Sequence, residues 1–380
     1  MILRGVTWDH PRGTVALEAA AALSELRGGL KIEWDARSLE QFEDQSIDEI
    51  AETYDLVVLD HPHLGEAILA GALLPLDDLL PRELISNLST DTVGLSFASY
   101  VMNNQLWAVP LDAATQVAAT LVEHVPEAPA TWDQVVGLSR RQPVALSLSG
   151  PHAFLTFASV CAAFGEPVGT SPDEIVSMAT AVEVLEILCE LAQRAPSGSV
   201  ELNPIRTLER MTTEGDIHYV PLIYGYVGYS SWSLQFADAP ARSPGGLRGS
   251  VIGGTGLALT RRCQVTKELI AHLVWLMSEE MQTRFIPLND GQPSLRSAWL
   301  DPLTDEASKG FYSGTLRTME SATMRPRHDG FIPFQAAGSA IIRSILLDRS
   351  GVRSGIERLQ EAYRSSLSVR GVNPQERETR

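Results

Sequence analysis

Two short polar clusters, each closing a strand-like apolar run, stand out in the hydrophobic pattern near the start of the chain. Ile2-Leu3-Arg4-Gly5-Val6 leads into Thr7-Trp8-Asp9-His10-Pro11-Arg12-Gly13. Asp55-Leu56-Val57-Val58-Leu59 leads into Asp60-His61-Pro62-His63-Leu64-Gly65. The length and β-branched content of each run predict a buried parallel strand. Between them, Val15, Leu17, Ala21, Leu23 and Leu26 mark a helix over 14–27, and Leu30 to Trp34 alternates as a second strand. Ser46 has the character of a helix cap before Ile47-Asp48-Glu49-Ile50. This β-α-β-α-β order predicts an α/β unit with a parallel sheet. Both polar clusters then stand at the carboxyl ends of strands, where open α/β sheets bind ligands.

Farther along, Leu106-Trp107-Ala108-Val109-Pro110 reads as a strand whose regular pairing Pro110 ends. Thr131 is a helix N-cap before Trp132-Asp133-Gln134-Val135. Pro143 to Leu148 is strand-like and runs into Ser149-Gly150-Pro151-His152. Helices are predicted over 153–164, 172–194 and 204–213. A strand from His218 to Ile223 ends in a dense aromatic set of Tyr224, Tyr226, Tyr229 and Trp232. Residues 237–250 read as a loop, and Val251 to Leu259 as a strand interrupted by Gly253, Gly254 and Gly256. Helices follow over 264–284, 333–348 and 351–366, and the polar stretch from Val372 to Arg380 is expected to fray.

Several of these segments, in this order, resemble the extracellular solute-binding proteins of ABC importers, in the carbohydrate-binding type that includes maltose-binding protein. Leu106-Trp107-Ala108-Val109-Pro110-Leu111-Asp112 looks like that family's first crossover between lobes. Pro129-Ala130-Thr131-Trp132-Asp133-Gln134-Val135 is similar to its P-x-T-W-[DE]-[ED]-L helix start. Gly253-Gly254-Thr255-Gly256-Leu257-Ala258-Leu259 resembles the return strand, and Arg325-Pro326-Arg327 a motif before the last helices. Ser278-Glu279-Glu280-Met281-Gln282 and Gly291-Gln292-Pro293-Ser294 fit the segments between. The resemblance covers roughly residues 1–366. It implies a type II periplasmic-binding-protein-like fold with two α/β lobes and a ligand cleft between them. The first lobe would hold 1–110 plus 253–307, and the second 111–252 plus 308–380. A hinge near 110 and 252 would close the lobes. The implied function is capture of a small ligand, a sugar or sugar acid, with ABC importer membrane subunits as partners if the chain is exported. The chain departs from the family in the Asp–His pairs at its strand ends.

The candidate ligand residues are Trp8, Asp9, His10, Arg12, Asp60, His61, Asp112, Tyr224, Tyr226, Gly254 and Thr255. Trp and Tyr offer flat faces to a ring, and Asp, His and Arg offer hydrogen bonds. Asp9 and Asp60 equally suit capping of the helices that follow them, and the tyrosines equally suit core packing. The competing functional reading is a cytoplasmic enzyme that uses Asp9, His10, Asp60 and His61 as acid/base pairs on a small oxygen-rich substrate.

Composition narrows the choice. A formal charge of −17, with no basic run, argues against nucleic acid or an anionic membrane surface as a partner. No apolar stretch reaches the ~20 residues needed to span a bilayer. No secretion leader stands near Met1, so the chain is expected in the cytoplasm, or outside it if a leader was removed. Cys161, Cys189 and Cys263 read as three buried thiols. No metal is expected, because Asp9, His10, Asp60, His61 and His63 carry no HExxH or paired CxxC spacing. No cofactor is expected either. Gly253 to Gly256 lacks both the GxGxxG spacing and a P-loop lysine. GxSxG is absent too.

Overall fold

The computed structural model describes residues 2–348 and 351–367. The stretch from Val372 that was expected to fray lies outside the described residues. Strands β1 (Ile2–Trp8), β2 (Lys31–Arg37) and β3 (Leu56–Leu59) pair in parallel around β1, as the apolar runs predict. The chain then reaches β4 (Val109–Asp112) and moves to a second sheet made of β5 (Gln116–Leu121), β6 (Tyr219–Tyr224) and β7 (Leu234–Ala237). It returns through β8 (Thr255–Leu259). The first sheet has five strands in the order β2-β1-β3-β8-β4, with β8 antiparallel to both neighbours. The second has three antiparallel strands in the order β6-β5-β7.

Each sheet sits in its own core. Leu3, Val6, Leu56, Val57, Val58, Leu59, Val109 and Leu257 belong to one cluster, which draws on residues 3–111 and 257–295. Leu56–Leu59 is buried throughout, as a strand covered on both faces must be. The second core packs four helices together, His152–Ala163, Met178–Arg194, Phe331–Asp348 and Val352–Leu367. Every residue of the helix His152–Ala163 is buried, so it forms the spine of the second lobe. A third cluster joins Val117 and Ile223 to Trp299, Phe311 and Tyr312 on the same side.

Several elements differ from the sequence expectation. Pro143–Leu148 does not form a ladder strand. It makes an isolated parallel bridge from Val144 to Tyr219. Pro143 has no N–H to donate, and the Leu148 carbonyl accepts from Arg343 Nη1 at 3.2 Å instead. Regular pairing ends at Pro110, as expected, but the strand itself goes on. β4 is the sheet edge, where proline is tolerated, and it pairs with β8 as far as Asp112 through a register shift at Thr255. The helix expected over 264–284 runs over Lys267–Leu276 and resumes as a π-helical turn at Met281–Phe285. The buried Gln282 amide explains the reset: its Oε1 accepts from Ser294 N at 2.8 Å. Val251 and Ile252 make isolated bridges, and β8 starts only at Thr255. Gly254, at φ +85°, turns the chain between the two sheets, where a Cβ would stand 2.4 Å from the Asp112 carbonyl oxygen.

Candidate functional site

The parallel pairing of β1 with β3 sets the carboxyl ends of the two strands side by side, and both face the second lobe. Trp8, the last residue of β1, lies against Phe42 with ring centroids 5.3 Å apart. His10 caps the next helix, α1 (Pro11–Gly28), accepting from Arg12 N at 3.1 Å through Nδ1. Pro11 suits the first helical position. That cap aims Arg12 into the gap between the lobes. Its Nε donates to Asp112 Oδ2 at 2.7 Å and Nη2 pairs with Oδ1. Nη1 reaches across to the Gly225 carbonyl of the second lobe at 3.1 Å. Burial disfavours the Arg12 charge, and Asp112 more than restores it.

At the end of β3, Asp60 forms a second buried pair, with Arg325 Nη2. Its other oxygen accepts from His61 N at 2.8 Å. Arg325 also donates Nη1 to Gln335 Oε1 at 3.1 Å and Nη2 to the Ile252 carbonyl at 3.3 Å. Burial alone would raise Asp60, but Arg325 and the adjacent His61 hold it well below the usual carboxylate range.

A cavity of about 60 Å³ lies between these pairs. Trp8, Arg12, Phe42, Glu43, Asp60 and His63 line it from the first lobe, and His152, Leu155, Tyr224 and Tyr226 from the second. Gly253, Gly254 and Thr255 cross its floor, with Arg325 and Gln335 beside them. Five of its lining atoms, Tyr224 Oη, Thr255 Oγ1, Arg325 Nε and both ring nitrogens of His152, are buried without a hydrogen-bond partner. Buried polar groups are ordinarily paired, so their convergence marks a site shaped for a polar ligand. Contacts between the lobes close its rim: Glu43 Oε1 lies 3.2 Å from His152 Nε2, and Asn203 Nδ2 donates to Glu40 Oε1 at 3.4 Å. A roomier groove of about 270 Å³ lies between the end of α1 and the helix Lys267–Leu276. Its buried Ser24 and His272 satisfy each other at 2.6 Å, so it lacks the unmet polar groups of the cleft.

Of the residues singled out in the sequence, Trp8, Arg12, Asp60, Tyr224, Tyr226, Gly254 and Thr255 line this cavity. Asp9, His10, His61 and Asp112 do not. Asp9 is exposed on a turn whose N–H is bonded to the Arg37 carbonyl at 2.7 Å. His10 is turned into its cap and against Tyr226, 4.8 Å between centroids. His61 points into the protein with no exposure at all. Asp112 is covered by Arg12. Burial, then the charge of Arg12, lowers His10 to about 4, and burial, then Arg325, does the same to His61. The sequence reading missed Glu43, His152 and Arg325 as lining residues. The Arg325-Pro326-Arg327 run and the strand-end position of His152 were visible, but nothing in the sequence pairs them with residues hundreds of positions away. Among the described residues, no group of three or more His, Cys, Asp or Glu stands close enough to hold a metal ion. None of the described helices is long and apolar enough to cross a membrane.

No protein-family model matches the chain, and no curated protein matches it in sequence. Solved structures do match in fold. An ABC transporter solute-binding protein from Thermotoga lettingae TMO, bound with α-D-tagatose, superposes with a TM-score of 0.79 at 13% identity, over 96% of this chain and 99% of that one. The Thermus thermophilus maltotriose-binding protein, bound with maltotriose, gives 0.77 at 16% identity, over 97% and 100%. An ABC transporter solute-binding protein from Agrobacterium radiobacter K84, in complex with ribitol, gives 0.74 at 18% identity, over 97% and 98%. At these identities the likeness is one of fold, and it runs the length of both chains: this protein has the two-lobe α/β architecture of the sugar-binding, maltose-binding-protein-like solute-binding proteins.

Proposed function

We propose that this chain is a solute-binding protein that closes its two lobes on one small, hydroxyl-rich molecule of the sugar or polyol kind. The observation that carries this reading is the interlobe cavity, where five buried polar atoms without partners converge between aromatic walls. Trp8, Tyr224 and Tyr226 would pack on the ligand, while Arg325 Nε, Tyr224 Oη and Thr255 Oγ1 would hydrogen-bond to it. The first lobe would comprise 1–110 and the return segment from 253. That segment would end nearer 295 than 307, a reading supported by the packing of Trp299 with Phe311 and Tyr312. ABC importer membrane subunits would be the partners. That role requires export, and the cytoplasmic location expected from the first residues draws no support from the structural neighbours.

A thermal-shift screen over monosaccharides, polyols and sugar acids tests the proposal. A true ligand raises the melting temperature with concentration, because it binds only the native state, and is recovered chemically unchanged. Tyr224→Phe should weaken that ligand about tenfold, the worth of one hydrogen bond to a buried group. A panel that leaves the melting temperature unmoved at millimolar concentration would reject this function.

A further inference from the structure

We propose that the cleft prefers a ligand with a single positive charge, an amine-bearing sugar or polyol, and that Glu43 receives that charge. The inference rests on the reading of the cleft as the ligand site and goes beyond it by fixing the ligand's charge.

Four formally charged side chains line the cavity: Arg12, Arg325, Asp60 and Glu43. The two arginines are already matched. Arg12 uses Nε and Nη2 on Asp112 and Nη1 on the Gly225 carbonyl. Arg325 uses Nη2 on Asp60 and Nη1 on Gln335, leaving Nε to meet a neutral hydroxyl. A ligand carboxylate would therefore find no guanidinium free to answer it, and buried carboxylates on the far side of each arginine would repel it. Glu43 differs. No Lys or Arg lies within ion-pair distance of it among the described residues, and its neighbour is the His152 ring at 3.2 Å. That ring nitrogen makes no hydrogen bond in this arrangement, so the Glu43 carboxylate, which lines the cavity, is not held by it. The charged groups of the site thus leave one negative charge without a fixed partner, in a place partly shielded from water. Glu43 is close enough to add to the upward push that burial gives the Tyr224 and Tyr226 phenols. A protonated amine would complete the site with a charge-assisted hydrogen bond, among the stronger polar contacts available. The formal charge of −17 on the whole chain works in the same direction, drawing cations toward the cleft and repelling acids.

The test compares matched ligands that differ only in charge: an amino polyol, its parent polyol and the corresponding aldonate, in five- and six-carbon lengths. Binding is measured by calorimetry at about pH 8, where imidazoles are neutral and an alkylamine keeps its proton. The amino polyol should bind about tenfold or more tighter than the parent, and the aldonate weakest. Glu43→Gln should bring the ratio of amine to parent affinity close to one. Glu43→Lys should turn the preference toward the aldonate. Equal or tighter binding of the parent, an aldonate preference in the unaltered protein, or an amine preference that survives Glu43→Gln would overturn the proposal while leaving the solute-binding reading intact. Silence from every ligand in both sets, and from the wider sugar screen, would remove the solute-binding reading itself and this inference with it.

Discussion

At Gly254 the requirement for a particular residue is backbone geometry. A residue with a side chain at φ +85° costs roughly 1–2 kcal/mol, and the added Cβ would also strike the Asp112 carbonyl oxygen at 2.4 Å. Gly254→Ala should therefore destabilise the protein by about 2 kcal/mol or more. Gly71, at φ +62° with open space around it, isolates the backbone cost alone. Gly71→Ala should lose only about 1 kcal/mol in the same urea titration. A second consequence at this scale concerns pH. The unfolded chain takes up a proton on His61 below its ordinary value of 6.5, whereas the folded protein resists until about 4. Stability is therefore lost as pH falls from 6.5 toward 4, by up to about 3 kcal/mol from this residue. Asp60 acts below that window, since its stabilising charge is lost only under the usual carboxylate range. Urea unfolding at several pH values should show the fall between 6.5 and 4, with a shallower slope for His61→Gln. His10 and His272, also lowered to about 4, keep that slope above zero.

At the scale of elements, local chemistry was most readable where caps and periodicity agree. Thr131 was expected as a cap, and its side chain accepts from Gln134 N at the start of Trp132–Ser139. Thr131→Ala should cost about 1 kcal/mol in equilibrium unfolding and leave ligand affinity unchanged, because Thr131 lies outside the cavity lining. Where tertiary contacts supply the hydrogen bonds, element boundaries were misjudged. Pro143–Leu148 has a strand's composition, but Arg343 and Leu202 answer its polar groups from elsewhere in the chain. The stretch 264–284 has a helix's composition, but the Gln282 side chain holds the backbone of Ser294 and Leu295 and resets the helix around it.

At the scale of the whole molecule, the polar contacts between the lobes around the cavity include Arg12 to Gly225, the Asp60–Arg325 ion pair, Glu43 to His152 and Glu40 to Asn203. Polar rather than apolar contacts of this kind are compatible with hinge opening. Small-angle scattering should therefore give a larger radius of gyration for the ligand-free protein than for the same protein saturated with its ligand. The liganded value should approach roughly 21 Å, that of a compact chain of this length. An unchanged radius on saturation would rule out lobe closure as the response to ligand.

The chain's own pattern determined the parallel β-α-β start, the strand ends that carry Trp8 and Asp60, the α1 and Thr131 helix starts, and the glycine-marked return at Gly254. Each of these follows from spacing within a few residues, because strand alternation, capping and backbone freedom are local properties. The pairing of charges was decided only in three dimensions. Arg12 finds Asp112 across 100 positions and Asp60 finds Arg325 across 265. No local rule links such partners, and their neutralisation leaves Glu43 as the carboxylate without a fixed cation. Burial likewise sorted the histidines. His61 and His63 are two residues apart on one turn, yet His63 faces the cavity and His61 the core, since the chain's path there was set by what packs against it.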